Sequence, residues 1–369
     1  MAARRVAIRW IVCLTTLLAA GIAVGADADV KETDPPPSTP VATIGNTPVT
    51  FEDLTKSAFQ PLSQEEAEYV AHKQGLATQY ARSRHATLDS ELDKLVNKRL
   101  LDLEAKSRKT TPEALLGKLA KPTVSDAEMH AFYEERKGQA QESFEAVQKQ
   151  IEDYLLEEKT TKIQDAYYAS LKQKYHAQIT LEPLRSKVST EGPSRGPNGA
   201  AVTIVEFADF QCPYCRKIES ALTQALKKYP DSLRLVYKNF PLTEIHPQAM
   251  QAAQAAMCAN QQGKFWEMHD ALLSPEADLA IPNLRATAAR VGVDSSKFED
   301  CVRGMGADGI IRDDMLEARA LALAGTPALF VNGRLIPGVV SLDDLSSIID
   351  DELHRKASLA STSSSIRSR

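Results

Sequence analysis

Hydrophobic positions along the 369 residues fall into distinct regimes. Trp10 to Val24 is a predominantly apolar run. From Val41 to about Arg185 the apolar positions recur at three- and four-residue spacing, which predicts helices. Leu88, Leu92, Leu95 and Leu103 fall on one helical face; Phe144, Val147, Ile151 and Leu155 continue the spacing, and Ile163, Tyr167 and Leu171 resume it. Ahead of them, Val41–Ile44, a Gly45-Asn46 turn and Val49-Thr50 read as strand, turn and strand leading into a helix at Phe51. Ser125-Asp-Ala-Glu128 is a capping box, with Val124 and Met129 placed as its hydrophobic staple.

The pattern changes near residue 201. Thr203-Ile-Val-Glu206 is a short, β-branched apolar run and reads as a buried strand; Leu233–Lys238 reads as a second. The helical pattern Ile218, Leu222, Leu226 lies between them, so the three form a βαβ unit. His246 to about Ala324 is helical in pattern throughout. Pro327–Val331, Asn332-Gly333 and Arg334–Ile336 then make a hairpin, because Asn-Gly suits the two-residue turn of paired strands. Ser341-Leu-Asp-Asp344 caps a terminal helix carrying Leu345, Ile348 and Ile349.

The connections complete the predicted organisation. Residues 27–40, with Pro35-Pro36-Pro37-Ser-Thr-Pro40, read as a stiff tether, and 186–200, with Gly192 to Gly199, as a hinge. The Ser-rich residues 357–369 are expected to be disordered. One mostly helical domain is therefore expected over 41–185 and an α/β domain over 201–356.

Met1 to Arg9 is a basic segment preceding the apolar run, and Val24-Gly25-Ala26 offers small residues for cleavage after Ala26. This is the form of an export signal, residues 1–26; the run is short for a spanning helix, an uncleaved anchor being the alternative. The predicted location is the periplasm. Cys13 would leave with the signal, and four cysteines remain, an even number suited to an oxidising compartment. Hydrophobic content of 43% and charged content of 25% are ordinary for globular domains, and a net charge of -5 gives no reason to expect nucleic acid.

The chemistry concentrates at Cys212-Pro213-Tyr214-Cys215, where the first strand gives way to a helix. Pro213 suits the first helical position, so Cys212 sits exposed at a helix N-terminus with Cys215 about one turn inward. The free N–H groups and dipole there stabilise a thiolate, the nucleophile of disulfide exchange. The same spacing forms half of a zinc site, but no second Cys or Cys/His pair at ligand spacing accompanies it, so neither metal nor cofactor is expected. Cys258 and Cys301 lie in different predicted helices. A structural disulfide between them would close a loop of roughly 44 residues and stabilise by about 4 kcal/mol; two buried free thiols are the alternative. Glu206 in an apolar strand needs a proton or a partner, for which Lys238 on the neighbouring strand is the candidate; two solvent-facing edge charges are the bland alternative. His246 and His269 suit capping or packing better than acid–base work, and His72, His85, His130 and His176 are scattered.

Three stretches in order resemble the DsbA-like proteins: Val205-Glu206 through Cys215, Met257-Cys258 through His269-Asp270, and Gly325-Thr326-Pro327 through Gly333. The resemblance covers about residues 195–355 and implies an α/β thioredoxin fold with a helical insertion. It further implies that Cys212 exchanges with a partner disulfide and Cys215 resolves it, with Pro213 and Tyr214 tuning the thiolate. By the same resemblance Pro327 is a cis proline, the Thr326 backbone pairs with an extended substrate, and Glu206 handles the Cys215 proton. Residues 41–183, through Val41–Thr50, the helix after Leu88 and Pro122–Glu128 leading to Phe132-Tyr133, resemble the mostly α-helical N-terminal module of SurA-like chaperones and parvulin-type isomerases, without the isomerase domain. That module implies a holder of non-native polypeptide; a spacer or dimerisation arm is the alternative.

The function so implied is an exported protein disulfide oxidoreductase. Its expected partners are unfolded or cysteine-containing exported proteins and a membrane redox partner, with a homodimer through the first domain as a further expectation. Two alternatives stand beside it: an isomerase or reductase kept reduced by a membrane donor, and a holdase with an accessory redox site.

Overall fold

The computed structural model describes residues 37–44, 47–136 and 142–367. The export signal, most of the proline-rich tether and the Gly45-Asn46 turn lie outside these residues. The chain divides into two compact units, Met1–Asp53 with Leu88–Leu181, and Leu54–Thr87 with Glu182–Arg369.

In the first unit, β1 (Pro40–Ile44) pairs antiparallel with β2 (Thr47–Thr50), and the chain enters α1 (Phe51–Ser107). Thr50 and Asp53 form a reciprocal capping box at its start. After α2 (Pro112–Leu116) and α3 (Asp126–Arg136) comes α4 (Phe144–Lys174). The capping box read at Ser125 is present, with Glu128 N–H donating to Ser125 Oγ over 3.3 Å and Ser125 N–H to Glu128 Oε2 over 2.9 Å. Leu100, Leu101 and Leu171 bury the contact between the end of α1 and α4. Glu104 is buried beside them, which is tolerable because three donors surround its carboxylate. Lys174 and Tyr175 reach Oε2 at 2.5 and 2.7 Å, and Arg108 reaches Oε1. These bonds, Lys174 first, hold its pKa down at about 2. The leucine stripe behaves differently from its amphipathic reading: Leu88, Leu95 and Leu103 are exposed, and the buried side of the helix is carried by Leu100, Leu101 and Glu104. Periodicity fixes which residues share a face but leaves open what covers it.

The second unit is built on a five-stranded sheet in the order β3 (Ser194–Arg195), β5 (Leu233–Asn239), β4 (Val202–Ala208), β6 (Ala328–Val331), β7 (Arg334–Pro337). β4 and β5 run parallel, joined by α5 (Pro213–Lys228), and the remaining pairs are antiparallel. Asn332 and Gly333 both take positive φ, 47° and 83°, as the two-residue turn between β6 and β7 requires. One face of the sheet, with Val202, Ile204, Leu329 and Val331, packs on Ile218 and Leu222 of α5 and on Leu345 and Ile349 of α11 (Leu342–Arg367). The other, with Val205, Phe207, Val236 and Phe330, packs on Ala318. Between β5 and β6 the chain forms α6 (Ala249–Asn260), α7 (Phe265–Leu272), α8 (Ile281–Arg290), α9 (Ser295–Arg303) and α10 (Asp308–Ala320). A disulfide joins Cys258 of α6 to Cys301 of α9.

Three boundaries differ from the sequence expectation. Residues 54–87, expected within the first domain, belong to the second unit: Thr78 Oγ1 donates to Ala320 O over 2.9 Å and Arg82 Nη1 to Ala322 O over 3.1 Å. The stretch 186–200 is no free hinge, since it carries β3, and Ser186 N–H donates to Gly333 O over 2.8 Å. Gly192 and Gly196 serve close approach: a Cβ on Gly196 would collide with Leu233 O, and one on Gly192 would lie 2.9 Å from Tyr237 O. The Ser-rich end, expected to be disordered, continues α11 to Arg367, in a segment that contains neither glycine nor proline to stop a helix.

Candidate active site

β4 ends at Ala208, and four residues later Cys212 takes the N-cap position of α5 with Pro213 at its first turn. Asp209 fixes this loop. One carboxylate oxygen accepts from Gln211 N–H at 2.7 Å; the other accepts from Leu242 N–H at 2.9 Å and lies 2.8 Å from His246 Nδ1. Cys212 N–H donates to Asp209 O over 3.0 Å. His246, expected to cap or pack, thus fastens the loop that carries the dithiol.

The two thiols are unbridged and differ sharply. Cys212 is lowered to about pH 5, first by the Cys215 thiol, with Thr326 and the N–H groups of Cys215 and Tyr214 adding to it against the cost of burial. Cys215 is fully buried and pushed strongly upward, by burial first, then by its bond to Cys212 and by Glu206. The surroundings thus favour a thiolate at Cys212 and a protonated thiol at Cys215. Cys212 is less open than a bare helix end suggests, at 4% exposure. The loop before β6 lies against it: Cys212 Sγ donates to Thr326 O over 3.4 Å, and the Thr326–Pro327 peptide is cis. Tyr214 is exposed.

Residues 189–351 match the family model described as thioredoxin. Among curated proteins, the Na+/H+ antiporter NhaA 3 of Salinispora tropica is 41% identical over 171 residues, which is 46% of this chain and 25% of that protein. The chain spans about a quarter of the length of the curated relatives it matches. A thioredoxin-like oxidoreductase from Silicibacter pomeroyi is similar in structure at 31% identity, covering 43% of this chain and 90% of that one with a TM-score of 0.40. The thiol-disulfide exchange protein alpha-DsbA2 from Wolbachia pipientis is 22% identical, over 43% of this chain and 86% of that one, with a TM-score of 0.40. Residues 189–351 form a thioredoxin-like domain.

Within the thioredoxin-like domain Glu206 is buried at 1% exposure, and neither carboxylate oxygen has a hydrogen-bond partner. Burial raises its pKa well above the carboxylate range, and Glu219 raises it further. The expected pairing with Lys238 is absent. In the parallel register Glu206 stands beside Tyr237, and Lys238 beside Phe207, so the two side chains leave opposite faces of the sheet. Lys238 Nζ instead lies 3.0 Å from Asp314 Oδ1 and 3.2 Å from Glu317 Oε2. His269, read as a packing residue, is fully buried among Phe210, Tyr237, Phe265 and Trp266.

Sequence reading missed Asp209, Glu219 and Asp314. The one available signal was Glu219's place four residues after Cys215, which puts both on one face of α5. Among the described residues no group of three His, Cys, Asp or Glu side chains is gathered to hold a metal ion. No helix among them is long and apolar enough to cross a membrane.

Proposed function

We propose that the chain is an exported protein disulfide oxidoreductase of DsbA-like character, acting on cysteine-containing clients through Cys212 and Cys215. The observation that carries this reading is the asymmetry of the pair: a thiolate stabilised at about pH 5 beside a buried thiol pushed upward. Stabilising the Cys212 thiolate stabilises the reduced protein, which makes its disulfide oxidising and favours transfer of the disulfide to a client. The client would lie against Thr326 and Pro327, with Pro213 and Tyr214 setting the thiolate. A membrane redox partner would then restore the disulfide. The basic and apolar residues 1–24 support export to the periplasm.

Glutathione titration of the Cys212–Cys215 pair, in protein carrying Cys258→Ala and Cys301→Ala, tests the direction. A potential of roughly -120 to -180 mV supports the oxidase. A value of about -270 mV overturns it in favour of a reductase or isomerase kept reduced by a membrane donor.

A second reading concerns the helical unit, whose exposed Leu88, Leu95 and Leu103 support a SurA-like role in holding non-native chain or in pairing two copies. Suppression of client aggregation that survives Cys212→Ser with Cys215→Ser would assign the holding function to this unit rather than to the dithiol.

A further inference from the structure

Residues Leu54–Thr87 of α1 belong to the second unit and lie along the C-terminal end of α10. Successive turns of the helix make the contact. Gly75 lets the two backbones approach, since a Cβ there would meet Arg319 O at 2.5 Å. Thr78 Oγ1 donates to Ala320 O, and one turn further on Arg82 Nη1 donates to Ala322 O. Ala322 stands two residues past the end of α10 with a φ of 48°, so Arg82 meets the carbonyl end of that helix, where a cation is favoured.

That bond uses one N–H of a guanidinium that carries five. Arg82 Nη2 is buried with no hydrogen-bond partner. Among the described residues no carboxylate pairs with Arg82, and Arg319, the next basic group along the contact, is taken by Glu68 at 3.2 Å. Burial presses the guanidinium's pKa down from its ordinary value, and no acid opposes the shift. A cation drawn from water without a counter-charge is costly, and capping a helix does not require it.

The same residue lines a cavity of about 360 Å³, a size that suits a ligand side chain. The loop from Ala322 to Ala328 forms much of the wall, with Leu335, Pro337 and Gly338 completing it, and Arg82 is the only charged residue among the described ones that line it. Thr326 lines it too, and Thr326 Oγ1 is a second buried polar atom without a partner. The carbonyl of Thr326 touches Cys212 Sγ at 3.4 Å. The cavity therefore connects the residue beside the reactive sulfur to an unpaired cation. From Thr326 back to Ala322 is four residues, a span of at most about 14 Å. An extended client advances about 3.3 Å per residue, so a side chain within about four residues of its cysteine can reach the guanidinium.

We infer that Arg82 and this cavity form a recognition site for an acidic side chain flanking the client's cysteine. The inference rests on the exchange reaction proposed above and names the clients it favours. The apolar wall would cover the methylenes of a glutamate, and Nη2 would donate to its carboxylate, a charge-assisted bond that a neutral or basic client cannot make. Arg82 lies outside the thioredoxin-like residues 189–351, so this preference would be added to the domain by α1.

The test is the rate at which the oxidised protein converts short two-cysteine peptides to their disulfides, its Cys212–Cys215 disulfide being reduced to the dithiol in exchange. The peptides are acetylated and amidated, so that only a side chain can supply a carboxylate. Glu, Gln or Lys stands in turn at each position within about four residues of a cysteine, and each rate is referred to that peptide's rate with dithiodipyridine. At one position or more the Glu peptide is expected to react about tenfold faster than the Gln peptide, and the Lys peptide slowest. The Glu-to-Gln ratio should fall to about one in Arg82→Gln, which keeps a donor for Ala322 O, and the order should invert toward Lys in Arg82→Glu. In the wild type the ratio should shrink as salt rises from about 0.01 to 1 M. A ratio near one at every position overturns the inference, as does a ratio that Arg82→Gln leaves in place. Should the variants fail to fold, the wild-type order and its salt dependence decide, and absence of either overturns it. A protein that oxidises none of the peptides sinks the exchange reading together with this one, whereas oxidation of all at equal rates sinks the recognition site alone.

Discussion

Lys238 and Glu206 sit on adjacent parallel strands yet point to opposite faces of the sheet, because Lys238 is in register with Phe207. The lysine therefore belongs to a buried ion-pair cluster with Asp314 and Glu317, and the acid near the dithiol has no cation.

Lys238→Met is expected to destabilise the domain by about 3–5 kcal/mol, since removing one partner leaves buried carboxylates uncompensated. Urea denaturation measures this. The pH curve of Cys212 alkylation should stay in place; a shifted curve with unchanged stability would instead tie Lys238 to the dithiol.

Alkylation of reduced Cys212 by iodoacetamide should rise with a midpoint near pH 5, where the thiolate forms. The sign for stability follows from the depressed value. An unfolded thiol ionises near 8.5, so the contribution to the reduced fold is complete above about pH 8.5 and is lost as pH falls through about 5. Denaturation of both redox forms at pH 5, 7 and 8.5 should show the reduced form gaining on the oxidised one as pH rises.

Cys258→Ala with Cys301→Ala is expected to cost about 4 kcal/mol in the chain-entropy account of a 43-residue separation. Glutathione exchange at Cys212 should persist at temperatures where the variant remains folded. Loss of exchange in the folded variant would assign the second pair to the chemistry.

Replacing Leu88, Leu95 and Leu103 together by Glu should change thermal stability little, because the side chains are exposed. Self-association, read by sedimentation, or suppression of client aggregation should fall. If both survive unchanged, the stripe is not an interaction surface.

The sequence was most legible where local chemistry dictates geometry. Cys212 with Pro213 marks a strand giving way to a helix, and Asn332-Gly333 marks a tight hairpin; both are local rules. Legibility failed where a decision depended on what packs from afar. A one-residue difference in strand parity separated Lys238 from Glu206, and no local signal reports parity across the crossover from Ala208 to Leu233. The Leu88 stripe had the correct period but no cover, and Gly196, read as flexibility, instead lets two backbones touch. Asp209 escaped notice because its three partners are a backbone N–H two residues on and two groups beyond residue 240.

β3 is only two residues long, yet it occupies the outer side of β5, with Trp266 Nε1 donating to Ser194 O over 3.0 Å and Arg195 lying over the same indole. An open strand there would offer an unsatisfied ladder to any extended chain. For a protein proposed to work among unfolded polypeptides, that short patch acts as a guard rail: it keeps an extended client from templating onto β5.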